Sequence, residues 1–355
     1  MKLGIIGFPQ SGKTTIFNAL TRGDTPTTAS AGRIDIHTAV VDVPDRRVDQ
    51  LSAMFKPRKT IYAKVTYADI AGLEGASASK GGISGTLLNQ LTQMDGFIHV
   101  VRCFPDENVP HPSGSVDPAR DMVSMETELI LNDTIAVERK LERLVEDRRK
   151  GGTDKDLNER QTVLFERLHG ILSQEKPLRG IELSVEEEKY LSGFGLLSRK
   201  PLLVLLNLGE GQSPPELEPC HACPLVVIQG KLEMEIAQLT PEDAAVFMAE
   251  YGIEELSLSR MIRLSYDLLN LQSFFTVGED EVRAWTTKRG ATAYEAAGEI
   301  HTDLQKGFIR AEVIPFQELI ELGGLTEAKS RGKLRLEGKE YLVKDGEIVH
   351  IRFNV

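Results

Sequence analysis

With 355 residues, of which 41% are hydrophobic and 27% charged, the chain has an ordinary globular composition and the length for two or three domains. It has no long uninterrupted apolar run, so a membrane-spanning helix is not expected, and Met1-Lys2 leads into an apolar segment without a cleavage site, which favours the cytoplasm. A formal net charge of −11 argues against a surface uniformly built for nucleic acid, but it allows a local basic patch.

The first elements predict a strand, a phosphate-binding loop and a helix. Residues 2–7 (KLGIIG) form an apolar run, and apolar residues recur at helical spacing within 12–22. Between them, 7–14 (GFPQSGKT) fits the pattern G-x4-G-K-[ST]. The glycines let backbone N–H groups turn inward around a phosphate, Lys13 reaches the β- and γ-phosphates, and Thr14 offers a hydroxyl to Mg²⁺.

Further apolar or β-rich runs predict the remaining strands of this domain. Continuous apolar runs bounded by turn residues suit a parallel sheet that is buried on both faces. Strands that alternate with helices imply the α/β class, with a mostly parallel sheet and right-handed crossovers. The runs are 38–43, 60–69, 97–104, 202–207 and 225–228.

The segment 69-DIAG-72 supplies a second element of the phosphate site. Asp69 is placed to contact Mg²⁺, and the backbone N–H of Gly72 to reach a γ-phosphate; an ordinary strand-terminating turn is the alternative. In many GTPases a glutamine follows DxxG and orients the attacking water, whereas this chain has Leu73, which cannot hydrogen-bond water. Hydrolysis therefore needs another polar group, or is very slow.

The loop after 202–207 is expected to recognise the base. A guanine-specific loop reads N-K-x-D, and its aspartate accepts from guanine N1–H and the 2-amino group. Here the loop is Asn207-Leu208-Gly209-Glu210, so a leucine replaces the lysine and the longer glutamate replaces the aspartate. The altered loop suits guanine poorly, with a generic exit from the strand as the alternative.

Between about 118 and 199 the α/β alternation is interrupted by polar, helix-forming sequence. Two narrow apolar stripes flank Gly151-Gly152, which predicts an inserted antiparallel helical hairpin, a coiled coil; a solvated spacer is the alternative. From about residue 276, short β-like pieces with DG and EG turns surround one helix-like stretch, which predicts a small α+β domain.

Together these features resemble the YchF/Obg-like ATPase family over essentially the whole chain. The resemblance is carried by GFPQSGKTTIFNAL, DIAGL, HVVRCF, the NxxE loop, the hairpin and the tail, AWTTKRGATAYEAAGEIHTDLQKGFIRAEVI with GKEYLVKDGEIVHIRFNV. This tail is similar to the family's TGS-type, β-grasp domain. The resemblance implies an Obg-related P-loop NTPase that tolerates or prefers ATP, depends on Mg²⁺ and associates with ribosomes.

Departures from the family pattern mark the chain as a divergent member. Gln10-Ser11 replaces a glycine-valine pair, Arg33 stands where a Mg²⁺-sensing threonine is expected while Thr38 follows it, and 81–85 (GGISG) replaces a GEGLG segment. In the family a loop histidine is thought to replace the missing glutamine, and the matching position is His111. A loop histidine that faces solvent is the alternative.

These inferences define a nucleotide site, which includes a base-site element that the resemblance places at 228–231. The catalytic candidates are His111 and Lys13, and the candidate Mg²⁺ ligands are Thr14 and Asp69. The nucleotide-binding candidates are Pro9, Gln10, Ser11, Gly12, Lys13, Thr14, Thr15, Gly72, Asn207, Leu208, Glu210, Gly230 and Lys231.

The predicted domains are a P-loop NTPase domain formed by 1–117 and 200–275, a hairpin over 118–199 and a TGS-like domain over 276–355. The leading hypothesis is a slow, Mg²⁺-dependent ATPase that acts as a nucleotide-dependent switch on ribosomes or RNA, as a cytoplasmic monomer. The alternatives are a nucleotide-stabilised RNA- or ribosome-binding module with negligible turnover, and a GTP-binding protein with ordinary Obg-like behaviour.

Two basic clusters, one at the hairpin tip and one in the tail, are the expected ribosome or rRNA contacts, although basic runs are more often solvated faces. The residues are Arg148, Arg149, Lys150 and Lys155 at the tip, and Lys329, Arg331, Lys333, Arg335 and Lys339 in the tail.

Overall fold

The computed structural model describes most of the chain, and its residues group by contacts into two units. The described residues are 1–23, 36–70, 83, 85–151, 154–217, 223–251 and 253–354. The first unit comprises Met1–Ala39 with Thr66–Leu258, and the second comprises Val40–Val65 with Ser259–Val355. The predicted boundaries differ from this division, because the hairpin groups with the first unit and the segment from Val40 to Val65 groups with the second.

The strands and helices of the described residues are numbered in chain order. The strands are β1 (Lys2–Ile6), β2 (Ile36–Asp42), β3 (Lys59–Ile61), β4 (Lys64–Ile70), β5 (Gly96–Arg102), β6 (Leu202–Asn207), β7 (Leu225–Ile228), β8 (Leu271–Val277), β9 (Glu281–Lys288), β10 (Phe308–Pro315), β11 (Arg335–Glu337) and β12 (Glu347–Phe353). The helices are α1 (Lys13–Thr21), α2 (Arg46–Phe55), α3 (Gly85–Thr92), α4 (Pro118–Lys150), α5 (Lys155–Leu172), α6 (Val185–Leu191), α7 (Gly230–Ala237), α8 (Pro241–Glu250), α9 (Ser257–Leu268), α10 (Ala293–Ile300), α11 (Thr302–Lys306), α12 (Phe316–Leu322) and α13 (Leu325–Ser330). Within the described ranges, no helix combines the length and the apolarity needed to cross a bilayer.

The first sheet has the strand order β2-β4-β1-β5-β6-β7. Strand β1 runs parallel to β4 and β5, and the pairs β5–β6 and β6–β7 are also parallel. Strands β5 and β6 are buried along their whole length, as expected for a sheet covered on both faces. The predicted α/β class with a mostly parallel sheet is confirmed. Since parallel strands end at the same edge, the chain leaves β1, β4, β5 and β6 toward one shared edge.

The predicted helical hairpin is confirmed as α4 packed against α5. Helix α4 ends at Gly151, whose φ of 72° is the left-handed conformation that glycine adopts without strain. Gly152, the other half of the predicted turn, lies outside the described residues. The carboxylate of Asp133 fixes the hairpin base, because it accepts hydrogen bonds of 2.7 Å from the backbone N–H groups of Leu197 and Ser198.

The second unit contains a second sheet, with the order β11-β10-β12-β8-β9-β3. Strand β10 is antiparallel to β11 and β12, β8 is antiparallel to β9, and β12 runs parallel to β8. Helix α10 covers the sheet through Ala293, Ala296 and Ala297, which share a buried core with residues such as Phe274 and Val313. The predicted small α+β domain is therefore confirmed as a fold.

The β-rich run over 60–69 forms strand structure, but not as one strand. Backbone pairing stops after Ile61 and resumes at Lys64, so the run is divided into β3 and β4, which belong to different sheets. Strand β3 pairs with β9 of the second sheet. In the same unit, the Arg47 guanidinium lies 2.7 Å from the Asp345 carboxylate, which also accepts from the backbone N–H of Ser273. These long-range contacts explain why this part of the chain groups with the C-terminal residues.

Candidate nucleotide-binding site

The loop between β1 and α1 is held in a conformation that depends on its glycines. Gly7 and Gly12 have positive φ angles of 154° and 95°. A Cβ on Gly7 would lie 2.5 Å from the carbonyl oxygen of Val100, and a Cβ on Gly12 would lie 2.2 Å from Nδ2 of Asn207. Gln10 also has a positive φ, of 62°, which costs a non-glycine residue roughly 1–2 kcal/mol.

The N-terminus of α1 is open toward this loop. No described side chain caps it, and its first turn contains no acidic residue. The first backbone N–H groups of a helix lack partners within the helix and carry the positive end of its dipole. This end of α1 is therefore an anion-binding position, which is the function that the sequence predicts for Gly12, Lys13, Thr14 and Thr15.

Lys13 is folded back over the loop. Its Nζ donates to the carbonyl oxygens of Gly7 and Phe8, each at 2.9 Å. The ammonium charge is thereby held over the P-loop. A phosphate bound there would meet both the positive charge of Lys13 and the backbone donors.

Thr14 and Asp69 meet at the edge of the sheet. The Thr14 hydroxyl donates to Oδ2 of Asp69 at 2.9 Å, while Oδ1 of Asp69 is buried without a hydrogen-bond partner. Burial raises the pKa of Asp69, although the Thr14 hydrogen bond and the charge of Lys13 oppose that shift. An orphaned carboxylate oxygen beside a hydroxyl is a hard oxygen donor set of the kind that Mg²⁺ prefers.

Asn207 connects two loops of the site. Its Nδ2 donates to the carbonyl oxygen of Ser11 and its Oδ1 accepts from the backbone N–H of Gly230, both at 3.0 Å. Gly230 has no room for a side chain, because a Cβ there would lie 2.6 Å from Cδ1 of Ile16. Both ends of the Asn207 amide are thus used to join the P-loop to the start of α7.

The rest of the base loop divides into a buried and an exposed part. Leu208 is buried, and its backbone N–H donates to the carbonyl oxygen of Ile228 at 2.8 Å. Glu210 and Lys231 are exposed. Gln212 stabilises the loop, because its side-chain oxygen accepts from the backbone N–H of Gly209.

His111 is buried, so the alternative of a histidine facing solvent was wrong. Its Nε2 lies 2.9 Å from Oδ2 of Asp121, and its Nδ1 accepts from the backbone N–H of Ser113 at 3.2 Å. Among the described residues, its hydrogen-bond partners belong to its own loop and to α4, and none belongs to the P-loop. The structure therefore brings the phosphate-binding candidates together and places His111 in a separate buried network.

Three of the sequence's candidate positions lie outside the described residues. They are Gly72, Leu73 and Arg33. Pro9, a further candidate, lies within the P-loop between Phe8 and Gln10.

Sequence reasoning missed two buried residues on β5. Arg102 donates to the carbonyl oxygens of Phe104 and Val109, and it thereby fixes the start of the loop that carries His111. His99, beside Ile6 of β1, has its pKa lowered to about 3 by burial and by the charge of Lys13, so it is neutral near pH 7. The signal available in the sequence was two polar residues inside the apolar run FIHVVRCF.

Phe104 was also missed. It is half-buried and follows β5 at the same edge of the sheet, where a Cβ added to Gly209 would lie 3.2 Å from its own Cβ. Phe104 is therefore adjacent to the base loop through its Cβ, and the Arg102 guanidinium lies over its ring, 4.7 Å from the ring centroid. An aromatic residue directly after a central strand was the signal for it.

The parallel sheet, the P-loop and the Thr14–Asp69 pair define a P-loop NTPase. A family described as 50S ribosome-binding GTPase matches residues 2–140, and the family YchF-GTPase_C, described as a protein of unknown function, matches residues 271–354. The chain belongs to the YchF family, as its sequence motifs predict.

Relatives of similar length match along the whole chain. The "Ribosome-binding ATPase YchF" of Bacillus subtilis is 39% identical over 99% of each chain, and that of Escherichia coli O157:H7 is 41% identical over 100% of this chain and 99% of its own. The solved structure of the Schizosaccharomyces pombe YchF GTPase has a TM-score of 0.83 and 31% identity, covering 99% of this chain and 97% of that one. The fold is thus shared from end to end.

Proposed function

We propose that this protein is a ribosome-binding ATPase that works as a slow nucleotide-dependent switch. The observation that carries the proposal is the P-loop, in which Lys13, the open end of α1 and the Thr14–Asp69 pair surround one anion-binding position. The names of the relatives, which match this chain along its whole length, support both parts of the proposal.

Mg²⁺ fits the donor set, and Thr14 and Asp69 would hold it. Within the described residues, no group of three or more His, Cys, Asp or Glu side chains could hold a metal. A metal held by one carboxylate and one hydroxyl suits Mg²⁺, which keeps several waters and takes its other ligands from phosphates. When bound, the ion neutralises charge on the β- and γ-phosphates.

A preference for ATP over GTP follows from the base loop. A lysine at position 208 would have to leave the buried place of Leu208, and the longer, exposed Glu210 does not reproduce an aspartate at the position that pairs with guanine. The observation that Asn207 has both amide ends engaged supports an indirect role, in which it holds Ser11 and Gly230 in place. Direct contact with the base is then left to its neighbours, among them Phe104.

His111 is the proposed catalytic base, together with Lys13 as the residue that offsets phosphate charge. A neutral imidazole can accept a proton from water, which Leu73 cannot. The burial of His111 and the engagement of both its nitrogens favour slow turnover in the absence of a partner. The same observation favours the second candidate function, a ribosome-binding module with negligible turnover.

The hairpin tip is the stronger candidate for contact with rRNA. Arg148 and Arg149 are exposed in the last turn of α4, and the exposed Lys150 beside them pairs with Glu146 at 3.4 Å. In the tail cluster, by contrast, several side chains have local acidic partners. Arg331 is paired with Glu327, Lys333 with Glu318 and Arg335 with Glu347. The tail's TGS-like surface therefore presents less unpaired positive charge than its sequence implies.

We expect the protein to act as a monomer in the cytoplasm.

Equilibrium titration with Mg-ATP and Mg-GTP, followed by turnover measurements with and without purified ribosomes, tests the proposal. We expect tighter binding of ATP, slow intrinsic turnover and faster turnover on ribosomes. Binding without turnover under both conditions would favour the module with negligible activity. Tighter binding of GTP would favour ordinary Obg-like behaviour.

A further inference from the structure

His111 is held by the N-terminal turn of α4. Its Nε2 lies 2.9 Å from Oδ2 of Asp121, and the two side chains are only 3% and 5% exposed. Oδ1 of the same carboxylate accepts from the guanidinium of Arg120 at 2.8 Å. Asp121 therefore keeps an ion-pair partner of its own while it holds the imidazole in a buried place.

The hydrogen bonds around the ring assign its tautomer. A backbone N–H can only donate, so the bond from Ser113 makes Nδ1 the acceptor. The proton of the neutral ring then lies on Nε2, which donates to Asp121. This tautomer directs the basic nitrogen of His111 away from the carboxylate.

The hydrogen bonds to His111 differ in strength, and Arg120 Nη2 adds a long contact of 3.5 Å to Nδ1. The bond from Nε2 to Asp121 is short, buried and charge-assisted, and such bonds are roughly twice as strong as neutral ones. The bond from the Ser113 N–H to Nδ1 is neutral, 3.2 Å long and formed across one intervening residue of an exposed loop. Nδ1 is therefore the more weakly held nitrogen, because its contacts are this bond and the one from Arg120, and it is the nitrogen that can accept from water.

We propose that Asp121 is a positioning residue for hydrolysis, a role that rests on the proposed function of His111. The water oxygen bonds to the γ-phosphorus, the bond from that phosphorus to the bridging oxygen of ADP breaks, and a water proton moves to Nδ1. The imidazolium that results is stabilised by Asp121 and then loses its proton, leaving ADP and phosphate.

Other ionisable side chains of the described residues interact with this pair, among them Arg120 and Cys103. Arg120, on the same turn of α4, also donates to the carbonyl oxygen of Ser115 and so restrains the loop. Cys103, which follows β5, has its pKa raised to about 12 by burial and by the charge of Asp121, so it stays neutral.

The test compares Asp121→Asn, His111→Ala and the double variant in single-turnover hydrolysis of ATP, with ribosomes, from about pH 5 to pH 8. An asparagine can donate to Nε2 and so favours the wrong tautomer. We expect Asp121→Asn to slow turnover by about 10-fold or more while leaving the affinity for Mg-ATP unchanged. The double variant should be no slower than His111→Ala.

The pH profile and two further variants separate positioning from a loss of structure. In Asp121→Asn the fall in rate on the acid side should move to lower pH, because no carboxylate stabilises the imidazolium. Asp121→Glu should recover part of the rate. Asp133→Asn removes another buried, hydrogen-bonded carboxylate and should reduce stability without moving the pH profile.

Two outcomes overturn the inference, and they are distinguishable. If His111→Ala slows turnover but Asp121→Asn does not, the proposed function stands and the positioning role of Asp121 fails. If His111→Ala turns over at the wild-type rate, the catalytic role of His111 fails, and the role of Asp121 fails with it.

Discussion

The phosphate end of the proposed site, formed by the P-loop, and its proposed catalytic end at His111, which lies in a separate hydrogen-bond network, are prepared to different degrees. At the phosphate end, Asp69 has an unpartnered oxygen and α1 has an uncapped N-terminus. At the other end, both nitrogens of His111 are engaged and its side chain is buried. Groups that already face a ligand favour binding, whereas groups that must first break hydrogen bonds delay chemistry. We therefore expect the protein to bind nucleotide readily and to hydrolyse it slowly.

Removal of Lys13 should have the largest effect, because it disables the prepared end. Lys13→Ala removes the charge-assisted donor to the phosphates, and we expect Mg-ATP affinity to fall by about 100-fold or more. The circular dichroism spectrum should stay that of the wild type. The exposed Lys176, changed to alanine, is a matched control for loss of one lysine. Unchanged affinity in Lys13→Ala would contradict the P-loop assignment.

Removal of His111 should impair hydrolysis and leave nucleotide binding intact. A general base contributes typically 10²–10⁴-fold, so His111→Ala should lower single-turnover hydrolysis by about 100-fold with little change in affinity. His169→Ala is the matched control, since His169 is also paired with a carboxylate, that of Glu138, but lies in the hairpin. A parallel fall in affinity and rate would mean that His111 serves binding instead.

How much of this contrast could be predicted from sequence depends on the distance between contacting residues. The P-loop pattern is local, so its glycines, Lys13 and Thr14 could be assigned from their order alone. The bridging role of Asn207 could not, because its partners Ser11 and Gly230 meet it only when β1, β6 and β7 align. The buried position of His111 involves its contact with Asp121, ten residues away on the next helix. The sequence around His111 does not predict this contact.

The same limit applies to the fold. The buried runs of β5 and β6 have a clear composition, and the apolar stripes of α4 and α5 have a clear period. The division between β3 and β4 has neither, because it is set by pairing of Lys59 with Glu281 in a strand more than 200 residues away along the chain. A continuous β-rich sequence therefore does not show where the chain passes from one sheet to the other.

Changes in the base loop should alter selectivity without disturbing the phosphate end. Glu210→Asp combined with Leu208→Lys restores the N-K-x-D pattern, and each hydrogen bond to a charged acceptor is worth about 1.5–3 kcal/mol. We expect competition binding to move toward GTP by about 10-fold or more, less the cost of placing a lysine at a buried position. Glu216→Asp, in the following exposed segment, is the control. An unchanged ratio of the affinities for ATP and GTP would mean that the base is selected by other residues, such as 228–231 or Phe104.

The smallest predicted effect concerns stability and His99. Its pKa is lowered to about 3 in the folded protein, so the unfolded chain binds more protons below pH ~6.5. The contribution of neutral, buried His99 to the free energy of unfolding is therefore present above pH ~6.5 and is lost as the pH falls below it. Between pH ~6.5 and pH ~5 the wild type should lose up to about 2 kcal/mol that a His99→Leu variant does not lose. Urea unfolding at the two pH values measures this difference, and equal losses would contradict it.

The central claim is that the P-loop groups are ready to bind nucleotide, whereas His111 must first break hydrogen bonds before it can act in hydrolysis. Single-turnover hydrolysis of prebound ATP, with and without ribosomes, tests this claim most directly. We expect an intrinsic rate no faster than about 10⁻⁴–10⁻² s⁻¹, an increase on ribosomes, and loss of that increase in His111→Ala. A fast intrinsic rate, or full ribosome stimulation in His111→Ala, would contradict it.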